Sequence, residues 1–343
     1  MAKPVHITLF PNLPVNPGTR SNPYIQDFIK ALNAQEDVSV VNPPHKNPLL
    51  SILKRKSWGN TFIFNWFESI PDFKYGLLQS LTAIVFLNII RLSGRKIVWI
   101  LHNKKPHANG HTRIKKYLAK LIASHSTLII THATEGIELI KENYPFALGK
   151  SHFLHHPTKN RLPEVLPADN RIQYDLLIWG QIAKYKGVTE FIDFLKKKAV
   201  NHLKVCVIGE CRSAALFDEL RKNAPENVTL INQSPSFEEL SHYAGISHFV
   251  LNPYSPESIL SSGVLMDSLS FGAKIIGPNV GSFKDYAQEP RLKVYTFNHF
   301  EEISSIVGKH KHEHINPDAY RQFLDENNWN QFASELVTLL TQK

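Results

Sequence analysis

Residues 261–278 read SSGVLMDSLSFGAKIIGP, and this stretch decides the fold that the rest of the chain is expected to have. Its first half predicts a short, largely buried helix with Ser261 or Ser262 as the N-cap, because a serine hydroxyl accepts a hydrogen bond from an orphan backbone N–H. Gly272 stands where a left-handed residue commonly ends a helix. Apolar runs on both sides are typical of buried strands, so the stretch predicts a strand–helix–strand unit.

The turn that opens this helix is a candidate phosphate site. A Ser-Ser-Gly turn leaves free N–H groups, and the positive end of the helix dipole faces the same point. Asp267 lies one turn further along, where an acidic side chain accepts hydrogen bonds from a ribose in dinucleotide folds. The alternative is a purely structural turn of the kind that every α/β domain contains.

Length and composition predict a two-domain protein. The chain has 343 residues, enough for two domains with full cores, and 43% apolar and 20% charged residues are typical of a soluble globular protein. Cys206 and Cys211 match no metal or redox spacing, which favours a reducing compartment without structural disulfides. The first ten residues predict a strand and not a signal peptide.

Positive charge is concentrated in the first half of the chain. Residues 1–160 carry 20 Lys and Arg against 8 Asp and Glu, while the remainder carries 19 against 22. This asymmetry predicts two domains with different partners. Nucleic acid, an anionic membrane surface and a phosphorylated acceptor are the candidates for the basic half.

Strands and helices are predicted to alternate along the whole chain, which is typical of parallel sheets with helices on both faces. The expected fold is α/β, with two Rossmann-like doubly wound domains and a cleft between them. Residues 1–160 form the first domain, residues 172–325 the second, and 326–343 a C-terminal helix that packs back toward the first domain. Tyr75–Leu92 is long and apolar, and its four polar residues favour a buried crossover helix over a membrane span.

A resemblance rests on the segment Trp179–Gly187, which reads WGQIAKYKG. It resembles the G-R-x-x-x-x-K-G signature of GT-B fold glycosyltransferases, especially family 4 of that classification. The stretch 261–278 resembles the donor-site helix of the same family. Further resembling features are Asn22-Pro23-Tyr24, Trp99–Asn103 with Pro106-His107, and His156-Pro157. The resemblance covers nearly the whole chain and looks closest to bacterial capsule and exopolysaccharide transferases.

The chain departs from the family pattern at the sugar-contacting positions. The family arginine is replaced by Gln181, and the second glutamate of the E-x7-E pattern is Asp267. Ile259 occupies the position of the first glutamate, and Glu257 is the nearest carboxylate. These departures leave open the alternative that the protein is a weak or inactive enzyme.

The resemblance implies a nucleotide diphosphate sugar as substrate. The chain contains no Asp-x-Asp motif, so we expect no metal and no cofactor, with cations and helix N-termini neutralising the leaving diphosphate. Lys186 is the candidate catalytic cation, and Lys184 and Arg212 are candidates to replace the charge missing at Gln181. The full predicted set for the nucleotide sugar is Gln181, Lys184, Arg212, Glu257, Ser261, Ser262, Gly263 and Asp267. The alternative for each lysine is a solvated loop residue.

His102 is the second candidate catalytic residue, because it follows a predicted strand at the sheet edge where ligands bind. The resemblance implies that a histidine here faces the donor sugar across the cleft, and a histidine pKa suits proton transfer. A packed structural histidine is the alternative, which we favour for His155-His156-Pro157. The loop after the first strand, with Gly18, Arg20 and Asn22, is a candidate acceptor or phosphate loop or else a mobile surface loop.

Two basic segments of the first domain are candidates for membrane contact. Leu49–Trp58 mixes aliphatic residues, three cations and a tryptophan, and Arg113, Lys116 and Lys120 fall on one helical face. The alternative for each is a core helix with a solvated face.

The predicted function is transfer of a hexose from a nucleotide diphosphate donor to a glycan or lipid-linked glycan acceptor in surface polysaccharide biosynthesis. The alternatives are a non-catalytic GT-B-like protein that binds a sugar or nucleotide, and a nucleotide-sugar 2-epimerase. The expected partners are the donor, the acceptor and the inner membrane surface, and not nucleic acid. The expected location is cytoplasmic, either free or peripheral on the membrane.

Overall fold

The computed structural model describes residues 4–14, 23–104, 110–164 and 172–342. The chain divides into two compact units, the first consisting of Met1–Pro157 with Trp329–Lys343 and the second of Thr158–Asn328. Each unit is built around its own parallel sheet.

The first unit contains a six-stranded parallel sheet in the order β2-β1-β3-β4-β5-β6. Its strands are β1 (Val5–Phe10), β2 (Val38–Val40), β3 (Thr61–Asn65), β4 (Lys96–Leu101), β5 (Leu128–Thr131) and β6 (Ser151–Phe153). Its helices are α1 (Tyr24–Asn33), α2 (Pro48–Leu53), α3 (Gly76–Leu92), α4 (Thr112–His125) and α5 (Thr134–Asn143). All five residues of β3 are buried, as expected for a strand covered by helices on both faces.

The second unit repeats this architecture with the strand order β12-β11-β10-β7-β8-β9. Its strands are β7 (Tyr174–Trp179), β8 (Val205–Ile208), β9 (Val228–Ile231), β10 (Ser247–Leu251), β11 (Ile275–Pro278) and β12 (Val294–Phe297). Its helices are α6 (Val188–Lys197), α7 (Ala214–Asn223), α8 (Phe237–Gly245), α9 (Gly263–Ser270), α10 (Gly281–Ala287), α11 (Glu301–His310) and α12 (Pro317–Glu326). Separate apolar clusters cover the two faces of the sheet. The expected α/β class with two doubly wound sheets is confirmed.

The last helix, α13 (Trp329–Thr341), packs in the first unit and not in the second. Trp329 and Phe332 contact Phe28 of α1, and Leu336 and Leu340 lie in the same apolar cluster. The Lys96 ammonium donates a hydrogen bond to the carbonyl oxygen of Leu340, which ties the helix end to β4.

The order of strands reverses beside the first strand of each sheet, between β1 and β3 in the first unit and between β7 and β10 in the second. Ligands of open α/β sheets bind outside the carboxyl ends of the strands at such a switch point. The loops that follow β7 and β10 are therefore the first place to look for a site in the second unit.

Helix α3 differs from its prediction as a buried crossover helix. One face is buried through Gly76, Ser80, Ala83, Leu87 and Ile90, but the opposite face is exposed along its length. The prediction of burial was wrong for that face. Because α3 has apolar residues on every side, its sequence does not show which side packs against the rest of the unit. Within the four described ranges, no helix is long and apolar enough to cross a bilayer.

Candidate functional site

A narrow recess lies at the switch point of the second unit. The loop after β7 contributes Gly180, Gln181 and Lys186 to its lining, and the loop after β10 contributes Asn252 and Tyr254. The structure thus brings two residues predicted from the sequence, Gln181 and Lys186, to the carboxyl edge of the sheet where ligands bind.

Gly187 holds the two loops in contact. It follows the 3-10 turn Lys184–Lys186 and has a left-handed backbone with φ of +72°. A Cβ at this position would lie 1.8 Å from the carbonyl oxygen of Pro253, so only glycine permits this approach. The contact fixes the backbone next to Lys186 and so directs that side chain into the recess.

The Lys186 ammonium is a half-buried cation without a carboxylate partner in the described parts of the chain. Its Nζ lies 5.6 Å from the centroid of the Tyr254 ring. Burial lowers the pKa of Lys186, and the neighbouring Tyr185 opposes that shift. A cation over an aromatic face in a partly dry recess is poised to bind an anion, which would compensate the loss of hydration.

The N-terminus of α9 lies next to the same recess, beside Gly180 and Lys186. A Cβ on Gly180 would lie 3.2 Å from Lys186 Nζ and 3.3 Å from Cγ2 of Val264 in the first turn of α9. The lysine and the helix N-terminus therefore approach one point. At Gly263, the first residue of the helix, the space that a side chain would occupy is open.

The N-cap of α9 is Ser262, one of the two serines that the sequence predicted for this position. Its Oγ accepts a hydrogen bond from the backbone N–H of Leu265 at 3.3 Å and donates one to the Tyr254 hydroxyl at 3.2 Å. Ser261 Oγ is buried and has no hydrogen-bond partner in the described ranges. Gly272, φ +79°, follows the helix in the left-handed conformation that the sequence predicted. Both termini of α9 thus match the sequence prediction.

Asn252 is a site residue that the sequence analysis missed. Its side chain is 2% exposed, and its Nδ2 has no hydrogen-bond partner among the residues that the structure describes. An unsatisfied buried amide costs about 1–3 kcal/mol, and because Asn252 lines the recess, its Nδ2 is a candidate donor to a ligand. The signal that could have identified Asn252 from the sequence is its position directly after the apolar strand β10, at the switch point of the sheet.

Asp267 is engaged by its own chain. Its Oδ1 accepts hydrogen bonds from Arg161 Nη1 at 3.0 Å and from Thr158 Oγ1 at 3.2 Å. The Arg161 guanidinium also lies 4.2 Å from the centroid of the Phe237 ring. Arg161 lies between the two predicted domains, 1–160 and 172–325, and the sequence analysis assigned it no role. The ribose-binding role of Asp267 stays a prediction.

The remaining predicted residues of the second unit lie outside the lining of the recess. Lys184 and Glu257 are exposed, and Arg212 is exposed with its Nε 3.6 Å from Oε2 of Glu210. Ile259, at the position of the family's first glutamate, is buried in the core. The predicted acceptor loop residues Gly18, Arg20 and Asn22 lie outside the described residues.

His102 is buried at the carboxyl end of β4 in the first unit. Asn65 Nδ2 donates to the carbonyl of Phe10, so its Oδ1 is the acceptor for His102 Nε2 at 2.9 Å. The imidazole therefore carries its proton on Nε2 and stacks on the Trp66 ring with centroids 4.3 Å apart. Nδ1 has no partner in the described ranges, and its lone pair can accept a hydrogen bond.

Burial lowers the pKa of His102 well below its usual value, and the neighbouring His132 and His156 lower it further. Proton uptake near neutral pH, which we expected of this residue, does not suit such a pKa. The neutral ring is instead fitted to accept a hydrogen bond at a fixed position.

Two further histidines and Tyr24 complete a buried cluster beside His102. His132 donates from Nδ1 to the carbonyl of Leu154 and accepts at Nε2 from the Tyr24 hydroxyl, both at 3.0 Å. His156 donates from Nδ1 to the carbonyl of Pro157. Burial lowers the pKa of His132 to about 3 and that of His156 to about 4. The structural role expected of His156 agrees with these contacts.

We predict that this cluster makes the first unit sensitive to acid. Between pH 6.5 and about 4 the unfolded chain binds protons at His132 and His156 while the folded chain does not. Acidification from pH 7 to 5 should therefore lower the free energy of unfolding by about 1–2 kcal/mol for each imidazole, with little change above pH 7. Urea unfolding measured across this range tests the prediction.

The matched variants are His156→Asn and His111→Asn. Asparagine can keep the donor to the carbonyl of Pro157 but does not titrate, so the first variant should lose the contribution of His156 to the pH dependence and keep that of His132. His111 is exposed and has a φ of +55°, which asparagine tolerates, so the second variant should leave the dependence unchanged. Equal slopes for all three proteins would contradict the prediction.

No protein-family model and no curated protein matches the chain, but solved structures do. HepE from Anabaena, in complex with UDP, is 12% identical over 98% of this chain and 100% of its own, with a TM-score of 0.67. AviGT4, a glycosyltransferase involved in avilamycin A biosynthesis, is 13% identical over 98% and 97%, with a TM-score of 0.60. The chain has the GT-B fold.

A glycosyltransferase from Rickettsia africae also shares the GT-B fold, at 11% identity over 99% of this chain and 100% of its own, with a TM-score of 0.58. These structures are matched over nearly their full lengths, so both Rossmann-like units of the GT-B fold are present in this chain. At such low identities the likeness concerns the fold, and the site must be argued from its own residues.

Proposed function

We propose that this GT-B chain is a glycosyltransferase whose second unit binds a nucleotide diphosphate sugar. The observation that carries the proposal is the half-buried Lys186 ammonium beside the N-terminus of α9, which has no carboxylate partner among the residues that the structure describes. Similar structures support the donor class, since HepE is described in complex with UDP-glucose and starch synthase IV of Arabidopsis thaliana as bound to ADP and acarbose. We further propose a family 4-like hexosyltransferase that uses a glycan or lipid-linked glycan acceptor in surface polysaccharide synthesis.

The proposed reaction breaks the bond between the anomeric carbon and the diphosphate oxygen, and the electron pair leaves with the diphosphate. The oxygen of an acceptor hydroxyl forms the new bond to the anomeric carbon, and its proton passes to an oxygen of the departing diphosphate or to water. Lys186 and the first N–H groups of α9 would donate hydrogen bonds to the departing diphosphate, whose charge grows as the bond breaks. The absence of an Asp-x-Asp motif supports our proposal that no metal ion is required.

The contacts proposed for the other site residues follow their positions. Asn252 Nδ2 and Gln181 at the recess would donate to oxygens of the donor, while Ser261, Ser262 and Gly263 would present the helix N-terminus. His102, whose Nδ1 has no partner among the described residues, is proposed to accept a hydrogen bond from a hydroxyl of the reacting sugar. Asp267 keeps its proposed ribose contact only if Arg161 shares the carboxylate or releases it.

We predict opposite effects of Asn252→Leu on binding and stability. Leucine removes an unsatisfied buried amide at similar volume, so stability should be unchanged or rise, while affinity for the nucleotide should fall about tenfold. Thermal unfolding and calorimetric titration of the same samples provide the two measurements.

The matched control is Asn42→Leu in the first unit. Asn42 is also buried, but its side chain exchanges two hydrogen bonds with the Leu9 backbone, at 2.8 and 2.9 Å. This variant should lose stability and keep nucleotide affinity. Normal affinity of Asn252→Leu would remove Asn252 from the site.

The proposed function is tested by screening UDP, GDP, dTDP and ADP for a rise in melting temperature, because a ligand that binds only the folded state stabilises it. Nucleotide release from the matching sugar donors, with and without acceptors, then measures turnover. Binding of none of these nucleotides would overturn the proposal.

The buried Ile259 and the uncharged Gln181 favour a second candidate, a non-catalytic protein that binds the same ligands. Binding without release of nucleotide on any acceptor would select this candidate. Interconversion of the sugar without an acceptor would instead select the 2-epimerase.

A further inference from the structure

The exposed face of α3 is a continuous apolar surface. Of the 14 large apolar side chains exposed in the described ranges, seven belong to Tyr75 and α3. They are Tyr75, Leu77, Leu78, Leu81, Val85, Ile89 and Leu92. Those of α3 follow the three- and four-residue spacing of one helix face, which we call the α3 stripe. A stripe of this size on a folded unit indicates a surface that binds something apolar.

The α3 stripe continues into a groove beside α2. Leu53 of α2 and the α3 residues Leu81, Val85, Phe86 and Ile89 line this open groove. Both α2 and α4 pack against α3, so the stripe lies between two neighbouring helices. The apolar surface is therefore broad and belongs to the folded unit.

Positive charge surrounds the α3 stripe. Residues 38–134 contain 14 Lys and Arg but only two acidic residues, Glu68 and Asp72. Glu68 is buried, and Asp72 forms an ion pair with Lys115 at 2.6 Å. The exposed cations on the flanking elements are Lys54, Arg55, Lys56, Lys74, Arg91, Arg113, Lys116 and Lys120. An apolar centre with a cationic border matches a bilayer surface that has anionic headgroups.

We propose that the α3 stripe inserts into the interface of an anionic lipid bilayer, with the surrounding lysines and arginines on the headgroups. The sequence singled out the two cationic borders, Leu49–Trp58 and the Arg113, Lys116 and Lys120 face, but treated the apolar centre as core. A second copy of the chain is a poorer occupant, because a self-complementary contact would bring like charges together around the stripe.

The test is cosedimentation of the full chain with vesicles of phosphatidylcholine containing about one third phosphatidylglycerol, with pure phosphatidylcholine as the comparison. The triple variant Leu78→Gln, Leu81→Gln, Val85→Gln should lower binding to anionic vesicles by at least about tenfold, since each exposed residue contributes apolar area. Its melting temperature should not fall, because these residues are exposed.

The matched control is Phe146→Gln with Leu148→Gln, two exposed apolar residues of the same unit outside the stripe, which should bind as the wild type does. Lys54→Glu with Lys56→Glu should weaken binding, most strongly at low salt. Wild-type binding by the triple variant, or no binding of the wild type to anionic vesicles, would overturn the proposal. A dimer in sedimentation experiments that the triple variant abolishes would also overturn it. The readout needs no sugar donor, so it is independent of the proposed function.

Discussion

Lys186→Ala is expected to lower the turnover of a nucleotide sugar by about a hundredfold to a thousandfold, because one preorganised donor to a developing anion contributes about 2.7–4 kcal/mol to a transition state. The lysine is half-buried over the Tyr254 ring, beside the N-terminus of α9. Affinity for the nucleotide diphosphate should fall as well. Initial rates of nucleotide release, with binding measured by calorimetry, test both expectations.

Lys184→Ala is the matched control, since Lys184 lies in the same 3-10 turn but is exposed and outside the recess. Its loss should change turnover by less than about threefold, as expected for a screened surface charge. A similar loss in both variants would mean that only the general positive charge of the loop matters. Full activity of Lys186→Ala would exclude the proposed diphosphate site.

Gly187→Ala should destabilise the second unit by about 3 kcal/mol or more, because strain and a steric clash act together. The backbone has a φ of +72°, and the new Cβ would lie 1.8 Å from the carbonyl oxygen of Pro253. Relief of this clash must separate the loops after β7 and β10, so nucleotide binding should be lost along with stability. Chemical unfolding and nucleotide titration provide the measurements.

Gly308→Ala in α11 is the control, because a Cβ there meets open space and alanine favours helix by up to about 1 kcal/mol. This variant should be as stable as the wild type or slightly more so. If Gly187→Ala were equally harmless, the loop contact would not determine the position of Lys186.

The alternation of apolar strands with amphipathic helices was enough to predict both sheets and their α/β class. Helix α9 was predicted together with its cap, since Ser262 and Gly272 act through local hydrogen bonds and backbone conformation. The exposure of one face of α3 could not be predicted, because apolar residues occur on both faces of the helix. Only the packing in the folded unit shows which face is buried.

The candidate site was predictable where the residues carry charge in a family pattern, as Lys186 does. Asn252 and Tyr254 were missed because their importance arises from the contact between two loops about 70 residues apart in sequence, which periodicity does not report. The pairing of Asp267 with Arg161 was missed for the same reason.

Helix α13 sets the order in which the chain can mature during translation. Trp329, Phe332 and Leu336 pack in the core around Phe28, so the core of the first unit is complete only after residues 329–341 have left the ribosome. Residues 158–328 can meanwhile assemble their own sheet. Released chains that end before residue 329 should therefore protect the second unit from proteolysis better than the first.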